Sequence, residues 1–211
     1  MTKRTFIIAN WGSDSMLILL QYNHQPFLNQ VTHFTGNDSR PYSVAVGDFN
    51  DDHRLDVVVA NYGSDNVGIL LGYGNRSFQN QMIYSTGFKF GPCSVAVGDI
   101  NSDNRLDIVV ANSLTNKISI LLEYGNGIFL LKNSYSTGDD SHPNMVSVWD
   151  VNKDDQLDII VVNSIKMYSY LMGYDSHPYS VALGDFNNDS WIDMAVTNYG
   201  TDNVEILLQA C

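Results

Sequence analysis

The chain holds only two cysteines, Cys93 and Cys211, among 211 residues. That count provides no disulfide framework, and free thiols are the default expectation. No run of 18 apolar residues occurs, which excludes a hydrophobic membrane-spanning helix. Basic residues are scarce: 11 Lys and Arg against 23 Asp and Glu leave a formal charge of −12. Without a basic patch, nucleic acid is not an expected partner. The five histidines, His24, His33, His53, His142 and His177, stand in no nucleophile motif such as Gly-x-Ser-x-Gly. No catalytic constellation emerges, and the chain is expected not to be an enzyme. The apolar stretch after Met1-Thr2-Lys3-Arg4 is too short for a signal peptide, so a secretion signal is expected to be absent or removed.

What the chain has instead is a phrase repeated four times, Asp-x-Asn-x-Asp-x-x-x-Asp. It occurs at Asp48/Asn50/Asp52/Asp56, Asp99/Asn101/Asp103/Asp107, Asp150/Asn152/Asp154/Asp158 and Asp185/Asn187/Asp189/Asp193. Oxygen-bearing side chains at positions 1, 3, 5 and 9 of a tight loop suit calcium, which takes six to eight hard oxygen ligands at about 2.3–2.6 Å. The seventh position, Arg54, Arg105, Gln156 or Trp191, varies freely, as expected if it supplies only its backbone carbonyl. Up to four Ca2+ are therefore expected. Twelve of the 23 acidic residues sit at these positions, and four bound ions would bring the formal charge to −4. The alternative is simple turn chemistry, since Asp and Asn favour hairpin tips. That alternative does not by itself require Asp at position 9 every time.

The flanks repeat too. Ser43-Val44-Ala45-Val46-Gly47 leads into the first loop and Val57-Val58-Val59-Ala60-Asn61 leads out, with echoes at 94–98 and 108–112 and at 180–184 and 194–198. Short β-branched runs bounded by Gly, Asn and Asp read as strands. Each loop is thus a hairpin tip, unlike an EF-hand, which needs helical flanks and a Glu at position 12. Pro41, Pro92 and Pro143 are spaced by 51 residues, and Pro143 to Pro178 by only 35. A period near fifty with four strand-like runs per unit marks propeller blades.

The expected fold is all-β, a β-propeller of four-stranded blades, four to five in number, with incomplete terminal blades. As one domain over 1–211 it divides into units 1–40 (partial), 41–91, 92–142, 143–177 (shortened) and 178–211 (partial). The small residues Ser43, Ala45 and Gly47 mark the innermost strand, with equivalents at 94–98, 145–149 and 180–184; Trp149 replaces the glycine in one of them. The shortened unit has room for one strand, 166–174, after its second, so this blade is expected to be distorted, two-stranded with an irregular return, or exchanged with another chain.

The segment 43–61 with its three echoes resembles the FG-GAP/VCBS repeats that build the propellers of integrin α subunits, some fungal lectins and many secreted repeat proteins. The resemblance covers almost the whole chain and implies a calcium-loaded propeller. It does not imply one activity, because such blades serve adhesion, sugar binding and enzyme accessory roles. Two departures stand out. Family loops usually carry Gly at position 6, where this chain has His53, Asn104, Asp155 and Ser190; Asn and Asp tolerate a left-handed backbone better than His and Ser, so the loops at 99 and 150 are expected to be better formed than those at 48 and 185. Integrin-type propellers have seven blades, whereas this length accommodates about four. The segment 6–14 aligns with 57–65, so the chain starts inside a blade, with Thr5 where a last calcium ligand would stand.

Further motifs stay open between two readings. The turns at Trp11, Tyr62 and Tyr199, each followed by Gly and an Asp three residues on, place an aromatic ring beside amide and carboxylate groups, which suits stacking on a sugar or anchoring a protein. They equally suit a turn with an aromatic wedge between blades. Asn37, Asn75 and Asn188 match glycosylation sequons, and the Asp-Ser-His-Pro copies at 140–143 and 175–178 read as an inter-blade turn or a His metal site. The functional expectation is a calcium-stabilised, non-catalytic binding module for a protein or glycan, extracellular or on a cell surface. Its alternatives are a lectin proper or an accessory domain of a secreted enzyme. Self-association through the incomplete blades is a further expected partnership.

Overall fold

The computed structural model describes residues 3–22, 29–164 and 176–209. Among the described residues, apart from two short 3-10 turns, the regular structure is all strand. The strands form five antiparallel sheets that succeed one another along the chain. The first holds β1 (Lys3–Asn10), β2 (Ser15–Tyr22) and β3 (Asn29–Phe34). The second holds β4 (Pro41–Gly47), β5 (Asp56–Asn61), β6 (Asn66–Leu70) and β7 (Met82–Ser85). The third repeats it with β8 (Pro92–Gly98), β9 (Asp107–Asn112), β10 (Lys117–Glu123) and β11 (Phe129–Ser136). The fourth comprises β12 (Pro143–Trp149) and β13 (Asp158–Asn163), and the fifth β14 (Pro178–Gly184), β15 (Asp193–Asn198) and β16 (Asn203–Leu207). Five successive antiparallel sheets, each starting from an edge strand next to its neighbour's, make the molecule a β-propeller.

Sequence copies fold as structural copies. The pairs Gly47↔Asp56, Gly98↔Asp107, Trp149↔Asp158 and Gly184↔Asp193 close the four hairpins in the same register. Strands β5 and β9, rich in Val and Ile, are buried along their whole length, because a blade's second strand is covered on both faces by its neighbours, as strands of a doubly covered sheet are.

The segments expected innermost do line the axis. β4, β8 and β12 lie side by side at the inner edges of their sheets. They are bridged from blade to blade: Val95 N–H donates to Ser43 Oγ (3.3 Å), Val146 N–H to Ser94 Oγ (3.2 Å), and Val181 N–H to Met145 Sδ (3.2 Å). A Cβ at Gly47 would stand 2.6 Å from Leu106, and one at Gly98 2.6 Å from Leu157, so these glycines admit a leucine of the following blade. Trp149, in the equivalent place, stays half exposed. Tyr42 of β4 and Tyr179 of β14 meet with hydroxyls 3.3 Å apart, bringing the second and fifth blades together at the mouth of the axis.

Between blades, one apolar face packs on the next. Phe49, Val58, Val67, Ile69 and Leu71 of the second blade lie against Val95, Ile108, Val110, Leu121 and Phe129 of the third. Val109, Ala111 and Ile118 of the third continue onto Val146 of the fourth, with Ile159 and Val161 alongside. Each such fully buried side chain contributes roughly 1.5–3 kcal/mol. A polar clamp accompanies the packing. Asp14 accepts from the N–H groups of Asp38 and Arg40, and Asp65 from those of Lys89 and Gly91, at 2.7–3.0 Å. Asn116 accepts from His142 N–H at 2.9 Å. Each clamp residue is left-handed, with φ of 49°, 52° and 56°.

The terminal pieces carry the strands expected of them, the last three of a blade in the first sheet and the first three in the fifth. In the shortened unit β12 and β13 form a two-stranded sheet among the described residues; the expected strand at 166–174 lies outside them, as do His24 and Cys211. Cys93 is a buried free thiol that donates to Pro143 O at 3.1 Å.

Candidate metal centres

The four Asp/Asn loops adopt one conformation. Positions 4 and 6 are left-handed throughout: Asp51 and His53 (φ 57°, 61°), Ser102 and Asn104 (61°, 65°), Lys153 and Asp155 (62°, 62°), Asn188 and Ser190 (62°, 69°). The expectation that the loops at 48 and 185 would be less well formed is therefore not met. The hydrogen bonds of the loop outweigh the backbone cost at His53 and Ser190.

Within each loop the oxygens of positions 1 and 3 converge on the position-5 N–H. Asp48 Oδ1 and Asn50 Oδ1 accept it from Asp52 at 3.1 and 3.3 Å. The same pair of bonds recurs at Asp103, Asp154 and Asp189, between 2.9 and 3.1 Å. The second oxygen of position 1 accepts the position-6 N–H: His53 to Asp48 2.7 Å, Asn104 to Asp99 2.7 Å, Asp155 to Asp150 2.9 Å, Ser190 to Asp185 2.8 Å. The position-3 amide donates to the position-5 carboxylate, which also accepts the position-7 N–H.

Position 9 does something different. Asp56 is wholly buried; one oxygen accepts Phe49 N–H (2.8 Å) and the other Gly72 N–H (2.7 Å). Asp107 likewise holds Ile100 and Glu123 N–H (3.1 and 2.9 Å), and Asp193 holds Phe186 and Gln209 N–H (both 2.9 Å). Asp158 holds Val151 N–H at 3.0 Å. Where both bonds form, this carboxylate ties its hairpin tip to the far end of the third strand. Burial pushes Asp56 above the ordinary carboxylate value, opposed by the Gly72 and Phe49 N–H groups and reinforced by the charges of Asp52 and Asp48. Asp107 is raised in the same way, by burial first, against the Glu123 and Ile100 N–H groups and with Asp103 and Asp99 adding to it.

Position 7 is not confined to its carbonyl either. The Arg54 guanidinium lies 3.6 Å from the Asp52 carboxylate, and Arg105 bonds both Asp103 and the buried Glu123. Asp103 is held below its ordinary value, against desolvation, by the Asn101 amide and the Arg105 N–H and guanidinium. Gln156 shows no such contact, and Trp191 turns its ring to Lys153 Nζ of the preceding loop, 3.8 Å from the ring centroid.

The donor chemistry of positions 1, 3 and 5 fits a hard divalent cation: all oxygen, close together, with like charges adjoining. Among the described residues no three His, Cys, Asp or Glu side chains are gathered as a metal-holding group. The set thus depends on the Asn amide oxygen at position 3, because the position-9 carboxylate faces the backbone.

The aromatic turns part company. Trp11 is exposed, with the Arg40 guanidinium 5.7 Å from its ring centroid. Tyr62 is half-buried, 5.8 Å from the Tyr42 ring and packed against the cluster containing Cys93 and Val109; it is a wedge between the second and third blades. Tyr199 is 80% exposed and borders a cleft of about 460 Å³ with Asn144, Ser164, His177 and Tyr179. Sequence reasoning did not single out the clamp formed by Asp14, Asp65 and Asn116, although their recurrence four positions after an Asn was the available signal.

Residues 48–110 and 99–161 match the FG-GAP-like repeat, and the chain belongs to that family. No curated protein matches the sequence. Among solved structures, it is similar to virginiamycin B lyase from Staphylococcus aureus, at 12% identity and a TM-score of 0.62 over 97% of this chain and 66% of that one. A streptogramin B lyase matches at 14% identity and 0.60, covering 97% and 68%. A catalytically inactive form of the staphylococcal enzyme with quinupristin matches at 13% and 0.59, covering 93% and 64%. The chain spans about two thirds of the length of these structures, and at such identities the likeness is one of fold. It corrects one expectation: the same propeller carries an enzyme, so the lack of a recognisable nucleophile motif does not make this chain a non-enzyme.

Proposed function

We propose that the chain is a calcium-holding propeller module whose loop faces bind a protein or glycan partner, in an extracellular or cell-surface setting. The observation that carries this reading is the fourfold recurrence of one loop conformation with all-oxygen donors at positions 1, 3 and 5. Asp48, Asn50, Asp52 and the Arg54 carbonyl would hold the first ion. Asp99, Asn101, Asp103 and the Arg105 carbonyl would hold the second, Asp150, Asn152, Asp154 and the Gln156 carbonyl the third, and Asp185, Asn187, Asp189 and the Trp191 carbonyl the fourth. Calcium would neutralise carboxylates that otherwise repel one another. Asp56, Asp107, Asp158 and Asp193 complete each loop by anchoring it.

Of the three aromatic turns, those of Trp11 and Tyr199 keep an exposed ring available for stacking on a partner. Calorimetric titration with calcium, repeated on Asp99→Ala, tests the metal assignment; uptake of four ions falling to three supports it, and no uptake refutes it. Glycan-array binding lost on Trp11→Ala or Tyr199→Ala would make the partner a carbohydrate.

A further inference from the structure

We propose that a second copy of this chain docks on the outer face of the fifth blade through the outer face of its own first blade, making a head-to-tail contact between propellers. The repeat itself identifies what such a face is for. In the second blade Phe49, Val67, Ile69 and Leu71 are 3%, 0%, 0% and 6% exposed, buried against the third blade. Their counterparts in the fifth blade, at a constant offset from the calcium-type loop, are Phe186, Val204, Ile206 and Leu208. All four residue pairs are identical, so Phe, Val, Ile and Leu recur in the same order. Here they are 50%, 61%, 56% and 57% exposed. The alternate residues of the same strands, Val196 and Leu207, pack on the fourth blade. The register of the second and third strands is unchanged, so these strands of the fifth blade present the same blade-to-blade surface, and no other described residue buries it.

The complementary surface is exposed on the same molecule. Blades receive their predecessor through the opposite face, where Val59 and Leu70 of the second blade pack on Met16 and Ile7 of the first. Their counterparts in the first blade are Ile8 and Leu19; Ile8 is 44% exposed, against 0% for Val59. The two faces do not cover each other within one copy, or these side chains would be buried. An apolar patch of this kind on a soluble domain marks an interaction surface. Because the two faces differ, the contact is heterologous and each copy keeps one face free for the next. The net charge of −12 opposes association of like copies, so the contact strengthens as salt rises.

Two substitutions at exposed positions test this, Ile206→Asp on the fifth blade and Ile8→Asp on the first. Light scattering after size exclusion should show wild-type protein above monomer mass and each variant alone as a monomer, with circular dichroism and melting unchanged. An equimolar mixture of the variants should form a dimer and nothing larger, since one partner retains the first-blade face and the other the fifth-blade face. A monomeric wild type at the highest soluble concentration overturns the proposal. So does a single variant that still assembles, or a mixture of folded variants that stays monomeric.

Discussion

The two halves of the nine-residue repeat look alike in sequence and live in opposite environments. Asp48 and Asp52, at positions 1 and 5, stand partly exposed in the hairpin tip with side chains 26% and 30% accessible. Asp56, at position 9, is at 0% and spends both oxygens on backbone N–H groups, one from the tip and one from the third strand. The contrast teaches that a single spacing encodes two tasks. The first half groups oxygens that would suit a cation; the second ties the tip to the sheet through backbone N–H groups. Position 9 thus answers the turn-chemistry alternative differently from its first appearance. Asp recurs there because a buried pair of donors needs a carboxylate, whether or not it also serves a metal.

The largest expected effect acts on the first half. If the unfolded chain does not hold calcium, each site kept at 100 times its dissociation constant adds about 2.7 kcal/mol, so chelation across four loops should lower the melting temperature more than any single substitution. A melting curve indifferent to chelator would leave these loops as turns. Next comes Asp107→Ala, which strands the N–H groups of Ile100 and Glu123 in a buried site. Each bond to a charged acceptor is worth about 1.5–3 kcal/mol, so denaturation should show a loss of roughly 3 kcal/mol or more even in chelator. A loss seen only with calcium present would erase the distinction between the halves.

Asp99→Ala should do the reverse, abolishing one bound ion while costing less in chelator than Asp107→Ala. A smaller effect follows from position 7. Replacing Arg54 or Arg105 by Gln removes a guanidinium that already occupies the position-5 carboxylate, and calcium affinity at that loop should rise by no more than about fivefold, the scale of an exposed ion pair. The loops with Gln156 and Trp191 should need no such relief and bind more tightly at the outset.

The smallest effect is in pH. Without calcium, Asp56 and Asp107 titrate above their unfolded value, so folding takes up protons at these two groups. Their contribution is fully present below the unfolded carboxylate value and is lost as pH rises through the folded one. In chelator, Asp107→Asn should therefore flatten the pH dependence of stability just above the ordinary carboxylate range, as followed by thermal melts across that window.

Much of this was legible beforehand. Alternating β-branched runs, Pro-to-Pro spacing and the loop phrase specified blades, strand order and hairpin register, because each depends on contacts within about twenty residues, and the copies agree. The inner strands were legible from Ser43, Ala45 and Gly47, since only small side chains fit where Leu106 comes close. The wedge role of Tyr62, the exposure of Tyr199 and the reach of Arg105 to Glu123 were not, because they depend on which neighbour the fold brings up. The clearest case is the pair Ile69 and Ile206: the same residue at the same point of the same repeat, 0% exposed in one blade and 56% in the other. Spacing and residue type within the repeat suffice to define the blade and the chemistry of its faces and loops. Which faces are covered is settled by packing, since burial is a property of the neighbour and the neighbour is not written in the repeat.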